Sequence, residues 1–212
     1  VYECKKRSGL FPVELLDKRG ALGPGTHLAH VGWVTSWELR AIAERGASVA
    51  HCPSSEMKSA SGGFFPFREA AAVGVRVCLG TDSPAVSEHL DVLREMRAAV
   101  LLGRHSYWDS WPRAGEVLEA ALSCGSRLFG ARLGRVEEGY EADLAVLDAR
   151  SPHLQPLTRA TVVRALAYSA TGSDVVATIV AGRVVYRRGD EELEGEIARL
   201  SRVLVEIASR EG

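Results

Sequence analysis

From Thr26 to about Gly103 the chain repeats one arrangement three times: a short β-branched apolar run, a polar loop, then a segment with helical spacing. THLAHVGW precedes TSWELRAIAERG, ASVAHCP precedes SSEMKSASGG and PFREAAAVG, and VRVCLGTDS precedes LDVLREMRAAVLLG. Consecutive βα units of this kind, joined by right-handed crossovers, lay their strands parallel in one sheet. Local signals agree with the unit boundaries. Thr35 can cap a helix with Glu38 at its third position, and Gly46 ends the pattern. An earlier unit is read in VYE, as the last residues of a strand, and in PVELLDKRG, as a short helix stopped by Gly20. Four such units are half of an eight-stranded barrel, which a chain of this length is not expected to close alone.

Each apolar run ends at a residue able to carry a proton or a metal: His30 in HLAH, His51 in SVAHCP and Asp82 in VRVCLGTD. In parallel α/β folds ligands gather at that end of the strands. Asp82 can bind a divalent cation or accept a proton from an activated water, although Asp is equally at home as a helix cap or in an Asx-turn. A single strand-end histidine is often only a hydrogen-bonded structural residue. Two at equivalent positions favour a ligand or acid–base role. His27 is read at the start of its strand, and His89, His105 and His153 as loop or helix histidines without partners. Glu3, at the end of VYE, could be an acid–base group at the same edge or an exposed carboxylate at a frayed terminus. SSEMKSASGG lacks phosphate-loop spacing and reads as a flexible loop or lid lining a substrate. No GxSxG is present, and Cys52 would point away from His51 on an extended strand, so a serine or cysteine nucleophile has little support.

Composition excludes several classes. With 212 residues, 46% hydrophobic and 25% charged, the chain can bury a core. A formal charge of -1 without a basic block argues against nucleic acid or an anionic membrane surface, leaving a small molecule as the expected partner. Even AVGVRVCLG is interrupted by Arg76, so no segment reads as a membrane span. The N-terminal VYECKKRSGLF has no signal-peptide order. Cys4, Cys52, Cys78 and Cys124 form no CxxC pair and are expected to be reduced, in a cytoplasmic protein. Beyond Pro112, RAGEVLEAALSCGSRLFG reads as helical, and GRVEEGYEADLAVLD and DVVATIVAGRVVYRRGD read as the strands of a separate small sheet. Leu193, Ile197, Leu200, Leu204 and Ile207 then mark an amphipathic helix, expected to pack on the domain surface or on a partner subunit.

The ordered segments LAHVGWVTSWELRAIAERGASVAHCPSSEMK, GVRVCLGTDSPA, EMRAA, GRVEEGYEADLAVLD and VATIVAGRVVY resemble the amidohydrolase superfamily. The branch they resemble contains cytosine, guanine, adenosylhomocysteine/methylthioadenosine and aminofutalosine deaminases and the triazine hydrolases. The resemblance implies an α/β fold: the C-terminal half of a (β/α)8 TIM-type barrel over 1–133, part of a small β-sandwich over 134–189, and a C-terminal helix over 190–212. It implies one divalent metal, zinc or iron, with Asp82 and His30 among the ligands. Asp82 would also accept a proton, His30 would polarise substrate or water, and Glu3 would match the proton shuttle of an HxxE motif. His51, with Ser55 and Ser83 in the adjoining motifs, would bind a small heterocyclic substrate.

The implied activity is hydrolytic deamination of a nucleobase, nucleoside or related heterocycle. A ring-amide or dechlorinating hydrolase, or a non-catalytic half-barrel module, is the alternative. The family's HxH pair and the histidine of HxxE would precede Val1, so the other half-barrel is expected elsewhere in the polypeptide or on another chain, with a homodimer possible. Two departures bear on the pocket: Glu56 stands where the family usually has Asn, and Val86, Ser87 and Glu88 stand where many members have Ser-Asn-Asn.

Overall fold

In a computed structural model, residues 1–60 and 63–210 are described. Two short helices, α1 (Tyr2–Ser8) and α2 (Pro12–Lys18), lead into β1 (His27–Ala29), α3 (Ser36–Glu44), β2 (Ser48–His51), α4 (Pro53–Lys58), α5 (Phe67–Ala72) and β3 (Arg76–Leu79). The three strands form a parallel sheet in the order β1-β2-β3, with Leu28 opposite Val49 and Val49 opposite Val77. The capping box at α3 forms as expected: Glu38 N–H donates to Thr35 Oγ1 at 3.3 Å, and Thr35 N–H donates to the Glu38 carboxylate at 3.0 Å. Glu38 also accepts from Val13 N–H at 3.1 Å, so one buried carboxylate ties the start of α3 to α2.

The strand read in VYE is not there. Residues 2–8 are helical, with Glu3 and Arg7 one turn apart and Gly9 closing the helix at φ 74°. The acid sits in the first turn and three bases in the last, an order that favours a helix through its dipole. Three parallel strands are therefore present among the described residues, where four were expected. The polar loop after β2 is also partly helical, because Pro53 takes the first position of α4; residues 61–62 of the expected lid lie outside the described residues.

After β3 come α6 (Pro84–Ser87), α7 (Val92–Tyr107), α8 (Ala114–Leu122) and α9 (Cys124–Leu128). On α7, Met96, Ala99, Val100 and Gly103 recur at helical spacing on the buried face. Met96, Ala99 and Val100 join Ile42, Val49, Phe65, Ala70 and Val117 in one core between the sheet and its helices. Each large apolar side chain buried there contributes about 1.5–3 kcal/mol. Gly103 is required by close packing: a Cβ there would lie 2.4 Å from Pro112 Cδ.

A second, antiparallel sheet is built from β4 (Leu144–Leu147), β5 (Val175–Val180) and β6 (Arg183–Arg187), in that order. Ala181 and Gly182, both at positive φ, turn β5 into β6. Between β4 and β5 lies α10 (Val162–Tyr168), which packs against α7 and α8. The chain ends in α11 (Glu191–Arg210), where Leu193 is half-buried beside Val185 while Ile197 and Leu200 stay exposed. No helix among the described residues is long and apolar enough to cross a membrane. Cys4 and Cys52 are free thiols, but Cys78 is disulfide-bonded. The expectation of uniformly reduced cysteines fails there, because sequence spacing does not reveal which cysteines meet in space.

Candidate active site

The three strand ends deliver their polar residues by different routes. Beyond β1, His30 and Val31 adopt left-handed backbone, at φ 68° and 56°, while His30 N–H extends the ladder to Ala50 O at 2.8 Å. Asp82, three residues beyond β3, is also left-handed at φ 60°. Non-glycine residues in this region carry strain of about 1 kcal/mol or more, a cost that recurs where side chains are aimed for function. His51 needs no such turn, since it is the last residue of β2 and 2% exposed.

The first turn of α4 then folds back on all three. Ser55 Oγ donates a hydrogen bond to Asp82 Oδ2, and Ser83 N–H donates to Oδ1 at 2.7 Å. These two donors, the Ser55 hydroxyl first, hold the Asp82 carboxyl below its ordinary pKa, so it is an anion at neutral pH. Glu56 accepts from Cys52 N–H at 3.0 Å and lies 3.1 Å from His51 Nδ1. His30 Nδ1 is 3.4 Å from the same carboxylate, and His30 Nε2 is 3.9 Å from Asp82 Oδ2. Burial pushes Glu56 up, but the hydrogen bond with His51, the histidine charges and the Cys52 amide outweigh it, and its pKa is lowered.

A cavity of ≈ 280 Å³ opens over this cluster, lined by His30, Trp33, Ser55, Glu56, Asp82 and Val86 among others. A larger apolar cleft of ≈ 590 Å³ lies at the N-terminal end of β3, beside Phe67, Val77 and Trp111. Volume would favour that cleft over the strand-end cavity. The Asp82 and Glu56 carboxylates, the His30 imidazole and the strained backbone select the smaller cavity.

The expected residues divide accordingly. His30, Ser55 and Asp82 line the cavity. His51 does not; it is buried behind Glu56 with its ring 5.1 Å from that of Phe65. Ser83 uses its amide on Asp82 and its hydroxyl to cap α6 at Ala85 N. Glu3 is exposed on α1, paired with Arg7 at 3.5 Å, and does not line the cavity. The strand-end position that suggested it as an acid–base group is replaced by a helical one. Cys52 is buried and its thiol pushed up to about 12, chiefly by desolvation, so it is no thiolate nucleophile near neutral pH.

Sequence reading registered Glu56 only as a substitution in the HCPSSEMK motif, although it is one of the most connected groups here. It also left His89 and His153 without partners. His89 Nε2 lies 3.3 Å from Glu95, whose buried carboxylate accepts from Ser54 N–H at 3.0 Å and anchors α4 to α7. Burial raises the Glu95 pKa. His153 Nε2 lies 2.9 Å from Asp174.

Among the described residues no three His, Cys, Asp or Glu side chains form a metal-ligand set. An imidazole nitrogen opposite a carboxylate oxygen nevertheless provides N and O donors of the kind zinc takes. His30 Nε2 and Asp82 thus fit as part of a metal site, not as a whole one.

A parallel βα layer with acid and imidazole groups at its strand ends is thus followed by a small antiparallel sheet. Residues 2–185 match the amidohydrolase family, and the chain belongs to it. It is 41% identical over 191 residues to a 5-methylthioadenosine/S-adenosylhomocysteine deaminase of Pyrococcus furiosus, covering 90% of this chain and 45% of that one. A 5'-deoxyadenosine deaminase of Methanopyrus kandleri is 40% identical, with 89% and 44% covered. The crystal structure of an adenosine deaminase from Xanthomonas campestris with bound zinc superposes with a TM-score of 0.86 at 31% identity, over 98% of this chain and 48% of that one. The chain thus spans about half the length of the relatives it matches.

Proposed function

We propose that these 212 residues form the C-terminal half of a metal-dependent aminohydrolase that removes the exocyclic amino group of a nucleoside-like heterocycle. The observation that carries this reading is the cavity in which Asp82, oriented by Ser55 and the Ser83 amide, faces His30. The deaminases among the relatives point to an adenosine-type substrate. The three parallel units are proposed as part of an eight-stranded barrel, with 1–133 as its half, 134–189 as part of a β-sandwich and 190–212 as a terminal helix. The remaining metal ligands would come from sequence outside these residues, in the same polypeptide or in a partner chain.

When bound, a divalent ion, zinc or iron, would supply Lewis-acid activation of the attacking water. Asp82 would bind that ion through its carboxylate and take the proton that water gives up, a task suited to an anion with two fixed donors behind it. His30 would offer Nε2 at the same point and stabilise charge developing on the ring. Trp33 and Val86 supply flat and apolar cavity wall against which a purine can lie. Water adds at the amino-bearing ring carbon; one of its protons ends on the ring nitrogen and the other, by way of Asp82, on the amino group, whose carbon–nitrogen bond then breaks to release ammonia. Glu3, by the resemblance, would carry a proton to the ring nitrogen; in these residues it stands exposed on α1, outside the cavity lining.

The test is ammonia release by the intact protein from adenosine, 5'-deoxyadenosine, methylthioadenosine and adenosylhomocysteine, with zinc content measured in parallel. Release from at least one of them by zinc-bearing protein is expected. A uniformly negative panel from a metal-loaded protein would overturn the aminohydrolase reading.

A further inference from the structure

We propose that Glu56 is a positioning residue that sets the tautomers of His30 and His51 together, holding Nδ1 protonated on both rings and leaving both Nε2 atoms as lone-pair donors. The inference rests on the metal-dependent reading for its use, but the geometry that carries it stands by itself. A neutral imidazole has one donor and one acceptor nitrogen, and a carboxylate beside one of them fixes that nitrogen as the donor. The Glu56 carboxylate lies 3.1 Å from His51 Nδ1 and 3.4 Å from His30 Nδ1. It is itself held by Cys52 N–H at 3.0 Å and is 8% exposed, so it cannot swing away to water without breaking the start of α4.

His30 supplies the second observation. Its Nδ1 is buried and completes no hydrogen bond, with the Glu56 oxygen 3.4 Å away. Its Nε2 faces Asp82 Oδ2 at 3.9 Å. With Nδ1 protonated, a lone pair on Nε2 points toward an anionic oxygen, and two acceptors so placed call for a cation between them. Glu56 thus turns His30 from a possible hydrogen-bond donor to Asp82 into its co-ligand. Carboxylates in this outer position raise the basicity of a ligating histidine and fix its ring, and losing one typically costs 10–100-fold in metal affinity. The Cys52 amide, His51 Nδ1 at 3.3 Å and His30 Nδ1 at 3.4 Å converge on Oε1, while Oε2 makes the closer approach to His51 at 3.1 Å; in Gln one of these two positions becomes an N–H₂ donor turned against an imidazole Nδ1–H.

Nitrogen-15 NMR of the metal-free intact protein, labelled at histidine and held well above the ordinary imidazole pKa, reads the tautomers directly. The wild type is expected to show Nδ1–H with an unprotonated Nε2 at His30 and His51; Nε2–H at either ring overturns the proposal without any variant being made. Glu56→Gln should move at least one of the two rings toward Nε2–H and weaken zinc about 10–100-fold in chelator competition, while Glu56→Asp, which keeps two acceptor oxygens, restores part of both. Unchanged tautomers and zinc affinity in a folded Glu56→Gln protein would also sink it. If the wild type shows the expected tautomers yet releases no ammonia from any substrate, the deaminase reading fails and the tautomer assignment stands.

Discussion

The molecule contains histidine–carboxylate couples in two regions, and they differ in what lies on the far side of the ring. At the parallel strand ends, Glu56 stands behind His51 and His30, and the other nitrogen of His30 looks across the cavity at Asp82. Near the antiparallel sheet, Asp174 is 2% exposed and accepts from Thr171 N–H at 2.9 Å as well as pairing with His153. Its bonds close the turn that feeds β5. His153 borders a cleft whose other charged lining groups are Arg104 and Arg164, with no carboxylate among them. The pairing chemistry is the same in both places. What makes one couple a candidate for catalysis is a second acid across a cavity, and what makes the other structural is that its carboxylate is consumed by the backbone.

The largest effect that would break this contrast is Asp82→Asn. Turnover in the intact protein should fall by about 10²–10⁴-fold, the usual weight of a general base, with the thermal midpoint nearly unchanged, because the amide oxygen can still accept from one of its two donors. A variant with undiminished kcat would move the chemistry away from this cavity. Asp174→Ala should do the reverse: kcat unchanged, and stability reduced by about 1–3 kcal/mol as the Thr171 amide and the His153 ring lose their buried acceptor, measured by urea unfolding.

Acidity separates the same two regions. Asp174 sits at about 2 against an ordinary 3.8: burial raises it, but hydrogen bonds from Ser151, His153 and the Thr171 amide together outweigh burial. A depressed carboxyl contributes stability that is complete above its unfolded value and is lost as pH falls through its folded one. The Asp174 contribution should therefore be whole above about pH 4 and disappear toward pH 2. Unfolding free energies for wild type and Asp174→Ala should converge across that window, and parallel curves would show that Asp174 does not titrate with folding.

Much of this was legible in the chain because it is local. The βα units, the Thr35–Glu38 box, the stop at Gly46 and the strand-end placement of His30, His51 and Asp82 follow from short-range spacing, and the structure keeps all of them. VYE failed because the repeat was extended into a segment whose own signals are helical: an acidic first turn, basic last turn and a left-handed glycine. The couples His51–Glu56, His89–Glu95 and His153–Asp174 were missed for another reason. Each depends on where a turn or helix is set down in three dimensions, and the last pair is separated by 21 residues. The polar residue after a strand is visible in sequence, whereas the group that orients it is not.

One residue joins the two regions, and it gives the smallest and most discriminating prediction. Asp91 caps α7, its Oδ1 accepting from Leu93 N–H at 3.0 Å and Arg94 N–H at 3.3 Å, while its Oδ2 accepts from Gly172 N–H at 2.8 Å. Gly172 opens the turn that contains Asp174, so a single carboxylate fastens the helix following the candidate site to the turn ahead of β5. Asp91→Ala should cost about 1–2 kcal/mol, the range for losing a helix cap. Asp91→Asn can keep the cap through its amide oxygen but presents N–H₂ to the Gly172 amide if it does, so it should cost roughly half as much. Hydrogen exchange would locate the loss: in Asp91→Asn, protection should fall at Gly172 while the first turn of α7 keeps its own. Equal loss at both places would mean that the cap and the tether form one cooperative unit, and the two regions would then have to be treated as a single structural body.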